Sequence, residues 1–100
     1  MTNYYESIIQ LRPYQEDLLN FVKKEIEANN IKISKEIHTK HGVDLYISSN
    51  PFAISLGRKL KKKFKGEVKL SRSLYGIRRK TSKLAYRVTM CFRLSQTDQP

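Results

Sequence analysis

Six of the eleven residues in segment 56–66, LGRKLKKKFKG, are lysine or arginine, and none is acidic. If the segment is helical, residues four apart are neighbours on its surface. Three pairs at that spacing carry like charge, namely Arg58 with Lys62, Lys59 with Lys63, and Lys61 with Lys65. Together they cost about 1 kcal/mol, part of which lysines in a last helical turn recover from the helix dipole. The remaining cost predicts that a polyanion lies against this surface and relieves the repulsion.

Two less specific explanations of this run stay open. Charged runs on helices are most often solvated faces, although such faces normally mix signs, as Lys23 and Glu27 do earlier in the chain. An anionic membrane surface is the other explanation, but it needs an amphipathic helix with a free apolar face. The apolar side of this helix is expected to face the core, so lipid ranks below nucleic acid.

Charge is divided unequally between the two halves of the chain. Residues 1–50 hold six Lys or Arg against seven Asp or Glu, whereas residues 51–100 hold fourteen against two. The net charge of +11 therefore resides in the second half. Such a division is typical of a protein with a dedicated face for polyanions.

Further cations follow in a predicted loop, GIRRKTSK (76–83), and in the strand after it. A strand over 67–75 would span about 30 Å, so helix and loop would mark two ends of one cationic flank. A track of that length suits a folded RNA better than a small anionic metabolite, and binding should weaken steeply with salt. The predicted nucleic-acid-binding residues are Arg58, Lys59, Lys62, Lys63, Lys65, Arg78, Arg79, Lys80, Lys83, Arg87 and Arg93.

Bases could also stack on an open sheet face, where Tyr46 would lie near Arg87 and Thr89. However, the sequence has neither the aromatic signature of a four-stranded RNA-recognition sheet nor a GxxG loop. We therefore interpret Tyr46 as an ordinary half-exposed strand residue and expect contacts to the backbone and shape of RNA.

The sequence has no constellation typical of catalysis. GxxxxGK[ST], GxGxxG, HExxH and CxxC are all missing. His38 and His41, with Asp44 nearby, straddle a predicted turn, but no second cluster completes a tetrahedral metal site. Cys91 stands alone, which excludes an internal disulfide and is typical of a reducing cytosol. We expect no enzyme, no cofactor, no metal, no small-molecule substrate, no membrane partner and a cytoplasmic location.

Hydrophobic spacing predicts the elements that would position these residues. Segment 4–12 is apolar on both parities and is expected to be a central strand. A helix follows from Pro13. Strands at 31–37 and 43–48 come next. The buried stripe of the first helix is predicted to comprise Leu18, Leu19, Val22 and Ile26.

The second helix is predicted to start with Asn50 as its cap and Pro51 in first position, and Gly66 is expected to cap its end. Strands at 67–75 and 84–94 complete the order β-α-β-β-α-β-β. This order predicts an α+β fold, with an antiparallel sheet of four to five strands and two helices on one face, a ferredoxin-like variant of the split β-α-β unit. Residues 1–95 are expected to form a single domain and residues 96–100 a flexible tail. The predicted buried stripe of the second helix is Ala53, Leu56, Leu60 and Phe64.

Three stretches resemble a known family. YESIIQLR (5–12), GVDLYISS (42–49) and YGIRRKTSKLAYRVTMCFRL (75–94) are similar to the central segment of the nonsense-mediated-decay-protein-3 family, particularly its archaeal members. In eukaryotes that family is the export adaptor of the large ribosomal subunit and sits on the intersubunit surface. The resemblance covers about residues 3–95 and depends on the order and spacing of short motifs.

Two features typical of that family are missing from this sequence. Its paired CxxC zinc motifs have no counterpart, because Cys91 is the only cysteine, and no leucine-rich export signal or acidic tail follows residue 95. The resemblance therefore implies ribosomal contact without zinc binding or transport-receptor recruitment. An excised domain and a shortened relative both fit this pattern.

Charge and resemblance together predict a non-enzymatic RNA-binding module in the assembly or quality control of the large ribosomal subunit. Its expected partners are ribosomal RNA, the large subunit and, in addition, ribosomal proteins. The rival prediction is a protein-interaction module whose basic side meets an acidic ribosomal protein or assembly factor. In that case the last strand could also act as a sheet edge that pairs with a partner chain.

Overall fold

The computed structural model describes residues 5–78 and 83–95, with the backbone alone at 75–78 and 83–85. Two of the predicted site residues, Arg79 and Lys80, lie outside the described residues. The predicted tail at 96–100 lies outside them as well.

Elements in the described part of the chain follow the predicted order. The strands are β1 (Ser7–Arg12), β2 (Ile33–Thr39), β3 (Gly42–Ile47), β4 (Gly66–Arg78) and β5 (Lys83–Leu94), and the helices are α1 (Glu16–Ala28) and α2 (Asn50–Lys63). The strands form one sheet in the order β2-β3-β1-β5-β4. The α+β class and the central position of β1 are thus confirmed. Neither helix has the length and apolar content needed to cross a membrane.

The sheet is mixed, so the expectation of an antiparallel sheet is wrong at one pairing. β1 runs parallel to β5, whereas β1–β3, β2–β3 and β4–β5 are antiparallel. The strand beside β1 is β5 because its residues Val88, Met90 and Phe92 are buried, while β4 leaves Leu70 and Leu74 exposed. The more apolar strand takes the interior position, and there it runs in the direction of β1.

The hairpin of β4 and β5 is longer than predicted. Half of the expected loop at 76–83, residues 76–78 and 83, belongs to the strands, because pairing continues as far as Arg78 opposite Lys83. β1 pairs with residues 88–93 of β5 only. Residues 73–78 and 83–87 therefore form a two-stranded ribbon that extends past the rest of the sheet. Over residues 88–93, β5 is no edge strand, so that part of it cannot pair with a partner chain as the rival prediction supposed.

The core lies between the two helices and one face of the sheet. Alternate residues of β1, β3 and β5 point into it, and the stripes of both helices face them. We call the other side of the sheet the open face, because neither α1 nor α2 packs there. Phe64, at the end of the α2 stripe, is only partly buried and meets Phe21 edge to face. The buried hydrophobic residues are Ile9, Leu11, Leu18, Leu19, Val22, Ile26, Val43, Leu45, Ile47, Ala53, Leu56, Leu60, Val88, Met90 and Phe92.

The start of α2 differs from the prediction. Ser49, and not Asn50, is the cap, since its hydroxyl accepts a 3.2 Å hydrogen bond from a backbone N–H of the first turn. The Asn50 Oδ1 instead accepts hydrogen bonds from the Ser7 hydroxyl at 2.6 Å and the Val88 N–H at 3.2 Å. Its Nδ2 donates to the Tyr86 carbonyl at 3.0 Å. Asn50 thereby joins α2 to β1 and β5.

Pro13 and Gly66 are not at the helix ends where they were expected. α1 begins three residues after Pro13, at Glu16. α2 ends at Lys63, and Gly66 is the first residue of β4. A Cβ on Gly66 would lie 2.4 Å from the carbonyl oxygen of Arg93. Glycine is needed there because the backbones of β4 and β5 approach too closely for a side chain.

Candidate nucleic-acid interface

The position of α2 on the sheet decides where its cations point. Its buried stripe faces β1, β4 and β5, and Gly57 lies so close to the sheet that a Cβ would be 3.1 Å from a methyl of Val68. Because the helix lies flat on the sheet, its exposed positions divide into a side facing α1 and an outer side.

Lys59 and Lys63 are on the side that faces α1, and both have partners within the protein. The Lys59 ammonium is 2.6 Å from a carboxylate oxygen of Glu25. That of Lys63 lies 5.5 Å from the centre of the Phe21 ring, a cation–π distance. These contacts make the two lysines less available to an external anion than the sequence implied.

Arg58, Lys61 and Lys62 form the outer side, and Lys65 follows two residues after the end of α2. We call these four residues the outer α2 cations. All four are exposed, and none makes an ion pair within the described part of the chain. At 100° per residue the three helical positions, Arg58, Lys61 and Lys62, span an arc of about 100°. Lys61 was not among the predicted site residues, although its place within the cationic run was a sufficient signal.

Arg87 and Arg93 lie on the open face, on the opposite side of the sheet from Arg58, Lys61 and Lys62 of α2. They alternate along β5 with the buried residues Val88 and Phe92, and successive strand residues point to opposite faces. The expectation of one cationic flank that joins α2 to Arg87 and Arg93 is therefore wrong.

On the open face, four side chains contact one another in a row, in the order Arg87, Tyr5, Tyr46 and Lys35. Its guanidinium carbon is 4.1 Å from the centre of the Tyr5 ring. Tyr5 meets Tyr46 edge to face at 4.8 Å, and the Lys35 ammonium lies 5.1 Å from the centre of Tyr46. Each ring thus already has a cation of the protein over it, which leaves little free ring surface on which a base could stack. The half-buried state of Tyr46 agrees with the sequence-based interpretation.

Arg78 and Lys83 are directly opposite each other at the far end of the ribbon. Only their backbone is described, so their placement shows that the two residues lie close together and nothing of their side chains. Contact of the ribbon end with nucleic acid therefore stays a prediction, as it does for Arg79 and Lys80.

A second group of basic residues surrounds a recess of about 390 Å³ at one end of the sheet. Arg12, Lys40, His41 and Arg93 line it, where β1 and β5 end and β2 turns into β3. The Arg12 guanidinium is 2.7 Å from Asp44 and is therefore already neutralised. Sequence reasoning missed this group because its members are far apart in the chain and only the pairing of the strands unites them.

His38 pairs with a neighbouring carboxylate and not with a metal set. Its Nε2 is 2.6 Å from Oε2 of Glu36, whose Oε1 is 2.9 Å from the Lys23 ammonium. The side-chain hydrogen bond with His38, and after it the one with Lys23, lowers the pKa of Glu36 below its ordinary value. Within the described residues, no group of three or more His, Cys, Asp or Glu could hold a metal ion.

Comparison with family models identifies the family of this chain. The family model described as NMD3, second domain, matches residues 4–94, which is nearly the whole chain. The chain belongs to the NMD3 family. The match confirms the resemblance carried by the three short stretches, and it spans every predicted site residue. A search of curated proteins found no match.

Membership of the NMD3 family links this domain to the large ribosomal subunit, with which the family associates. The family is that of a ribosome export adaptor and is not a known enzyme family. Membership of the family does not show which surface of the domain contacts the large ribosomal subunit. The charge and geometry of each surface are the basis for inferring the contact surface.

Proposed function

We propose that this chain is a non-enzymatic RNA-binding module that contacts ribosomal RNA of the large subunit during assembly or quality control. The observation that carries the proposal is the set of outer α2 cations, which are exposed, adjacent and without ion pairs among the described residues. Like charges this close destabilise a helix, whereas a polyphosphate offsets the repulsion. The free thiol of Cys91 fits a cytoplasmic location, which is part of the proposal.

The proposed contact is with phosphates and the shape of RNA, not with base edges. Lysine ammonium groups on a convex helix bind phosphate as point charges, and Arg58 adds the planar fork that holds a phosphate bidentately. A second proposed contact is the end of the ribbon, with Arg78, Arg79, Lys80 and Lys83. Arg87 and Arg93 would join only where RNA also reaches the open face.

Simultaneous replacement of Lys61, Lys62 and Lys65 by alanine tests this proposal. We expect the affinity for transcribed fragments of large-subunit RNA to fall about tenfold or more at roughly 100 mM salt, because three phosphate contacts are lost. The slope of log K against log salt should also become shallower by about 2 to 3. Fluorescence anisotropy over a range of salt concentrations measures both quantities.

A matched control removes the same charge from another surface. Lys32, Lys35 and Lys40 are exposed and lie outside α2 and the β4–β5 hairpin. Their triple alanine variant also loses three positive charges and so has the same net charge as the test variant. Equal weakening in both variants would mean that binding follows net charge and not the outer α2 cations, and the proposal would be wrong. Crosslinking in cells with mapping of the bound RNA should in addition give one patch of large-subunit RNA.

The rival function, a protein-interaction module, has support of its own from exposed apolar side chains beside α2. Pull-down before and after nuclease treatment separates the two functions. Partners lost with nuclease favour RNA contact, and partners retained favour protein contact.

A further inference from the structure

Part of the sheet face that carries the helices is not covered by them. Beside the N-terminal half of α2, the residues Leu70, Leu74 and Tyr86 are 48%, 56% and 43% exposed. Leu74 and Tyr86 are directly opposite each other on β4 and β5. Ile54 of α2 lies on the other side of a recess of about 360 Å³ that Leu70 also lines. We call this surface the β4 groove, and it consists of Ile54, Leu70, Leu74 and Tyr86.

Packing within the domain does not explain why the exposed residues of the β4 groove are large and apolar. Clusters of large exposed apolar side chains typically mark interaction sites. The groove lies where the two-stranded ribbon leaves the rest of the sheet. A ribbon of two strands without further packing is only marginally stable in water. A partner that covers Leu74 and Tyr86 would therefore stabilise the ribbon as well as bury apolar surface.

The charged residues beside the β4 groove are cations. Arg72 of β4 lines the recess, and Arg58 follows Ile54 by one helical turn. Glu67 is the sole acid among the described residues after Asn50, and its place in the alternation of β4 puts it on the open face. A ligand of the groove therefore needs an apolar surface with acidic residues beside it.

We propose that the β4 groove binds an acidic amphipathic helix of a partner protein. Packed helices lie about 8–10 Å apart, and strands are spaced about 4.8 Å apart. A helix beside α2 at that distance would rest on β4, with its apolar face on the four groove residues. It would become the third helix of the layer, and its acidic flank would meet Arg58 and Arg72. This inference does not rest on the RNA contact proposed above, although Arg58 takes part in both.

Other occupants fit the groove less well. A second copy of the chain would bring two cationic borders together. An anionic lipid surface binds protruding apolar side chains, whereas Ile54 and Leu70 line a recess between a helix and a strand. RNA offers phosphates to Arg58 and Arg72 but leaves Leu70 and Leu74 without an apolar partner.

The test uses the full chain and a fluorescein-labelled peptide of about 18 residues, with leucine at helical spacing and glutamate on both flanks. We expect saturable binding, a gain of peptide helicity, and methyl shifts in NMR spectra confined to Ile54, Leu70 and Leu74. The double variant Leu70→Ser, Leu74→Ser should bind the peptide about tenfold more weakly or worse, because two apolar contacts are lost. Circular dichroism on unfolding checks that this variant still folds, as the exposure of both leucines leads us to expect.

Charge is tested separately from apolar contact. Arg72→Glu should weaken binding of the glutamate peptide and strengthen binding of the same peptide with lysine in place of glutamate. The triple variant at Lys61, Lys62 and Lys65 should bind the peptide as wild type does but bind RNA more weakly. The double leucine variant should bind RNA as wild type does but bind the peptide more weakly. Failure of one proposal is therefore distinguishable from failure of the other.

Several results would overturn the inference. Among them are no peptide binding, equal binding by the double leucine variant, an extended peptide along the outer amides of β4, and stronger binding of phosphatidylserine vesicles that depends on Leu70 and Leu74. Concentration-dependent dimerisation through the same leucines, seen by sedimentation, would also contradict it by assigning the groove to a second copy.

Discussion

At the residue scale, Ser49 and Asn50 show how neighbouring residues with similar propensities acquire different tasks. Either side chain can cap a helix, and sequence patterns favour asparagine and serine almost equally. The structure uses Ser49 as the cap and Asn50 as a joint between α2, β1 and β5. The choice depends on β1 and β5, which lie far from this segment in the sequence.

The two roles predict different costs of substitution. Ser49→Ala should lower the free energy of unfolding by about 1 kcal/mol, the usual effect of losing a cap. Asn50→Ala should lower it by about 2 kcal/mol or more, because the Ser7 hydroxyl, which is fully buried, loses a partner and two strand contacts are also lost. Urea denaturation of both variants measures the difference.

Asn50→Asp separates the accepted hydrogen bonds from the donated one, because it keeps the two that Oδ1 accepts and sets a carboxylate oxygen against the Tyr86 carbonyl oxygen. Its free energy of unfolding should be lower than that of wild type. A larger effect at Ser49 than at Asn50 would contradict this account.

Glu36 gives a prediction for acid pH. Its pKa is lowered in the folded protein, first by the hydrogen bond with His38 and then by Lys23, so the carboxylate stabilises the fold above the ordinary carboxyl pKa of 4.5. That stabilisation should disappear as the pH falls from about 4.5 through the lowered pKa of the folded state. Comparison of unfolding free energies between wild type and Glu36→Gln, measured from neutral pH down to about pH 3, isolates this effect. Parallel curves for the two proteins would show that Glu36 makes no such contribution.

At the element scale, the β4–β5 hairpin has two parts in different surroundings. Residues 88–93 of β5 lie between β1 and β4 and under α2, whereas residues 83–87 have only β4 beside them. The same strand therefore passes from the centre of a sheet to an unsupported ribbon. The β4 groove lies at this transition.

Amide hydrogen exchange should reveal the transition. We expect the paired amides of residues 83–87 to exchange at least about tenfold faster than those of residues 88–93, because opening the ribbon exposes little of the core. Two-dimensional NMR of the chain in deuterated buffer measures both rates. Uniform protection along residues 83–93 would contradict the division, and slower exchange of the ribbon with the acidic peptide bound would add support for the β4 groove.

On the scale of the whole molecule, the positive charges lie on different surfaces with different surroundings. Arg58, Lys61 and Lys62 are on the helical side, whereas Arg87 and Arg93 are on the open face. Some other cations are neutralised internally, as Arg12 is by Asp44 and Lys59 by Glu25. The net charge of +11 nevertheless exceeds what internal pairs can balance.

Self-repulsion at this charge predicts that salt stabilises the free protein. We expect the Tm to rise by about 2–5 °C between roughly 20 mM and 300 mM sodium chloride, as the Debye length falls below the distance between neighbouring cations. The rise should be smaller for the triple variant at Lys61, Lys62 and Lys65. A Tm that is constant or falls with salt would show that the cations are already balanced in the folded state.

The sequence by itself determined the features that depend on neighbours along the chain. The stripes of α1 and α2 follow from helical spacing, and the alternation of residues 84–94 marks β5 as a strand with one apolar side. It also defined the run of like charges on α2 and, through three short stretches, the family. Lys61 belonged to that run and was left out although no tertiary information was needed to include it.

Only the tertiary structure decided the features that depend on residues far apart in sequence. β5 enters the sheet beside β1 because burial of Val88, Met90 and Phe92 outweighs the simpler antiparallel order, and this one placement makes the sheet mixed. The same placement gives Asn50 its partners on β1 and β5. Alternation along a strand defines two faces but not which face will be covered, because that depends on which strand becomes its neighbour.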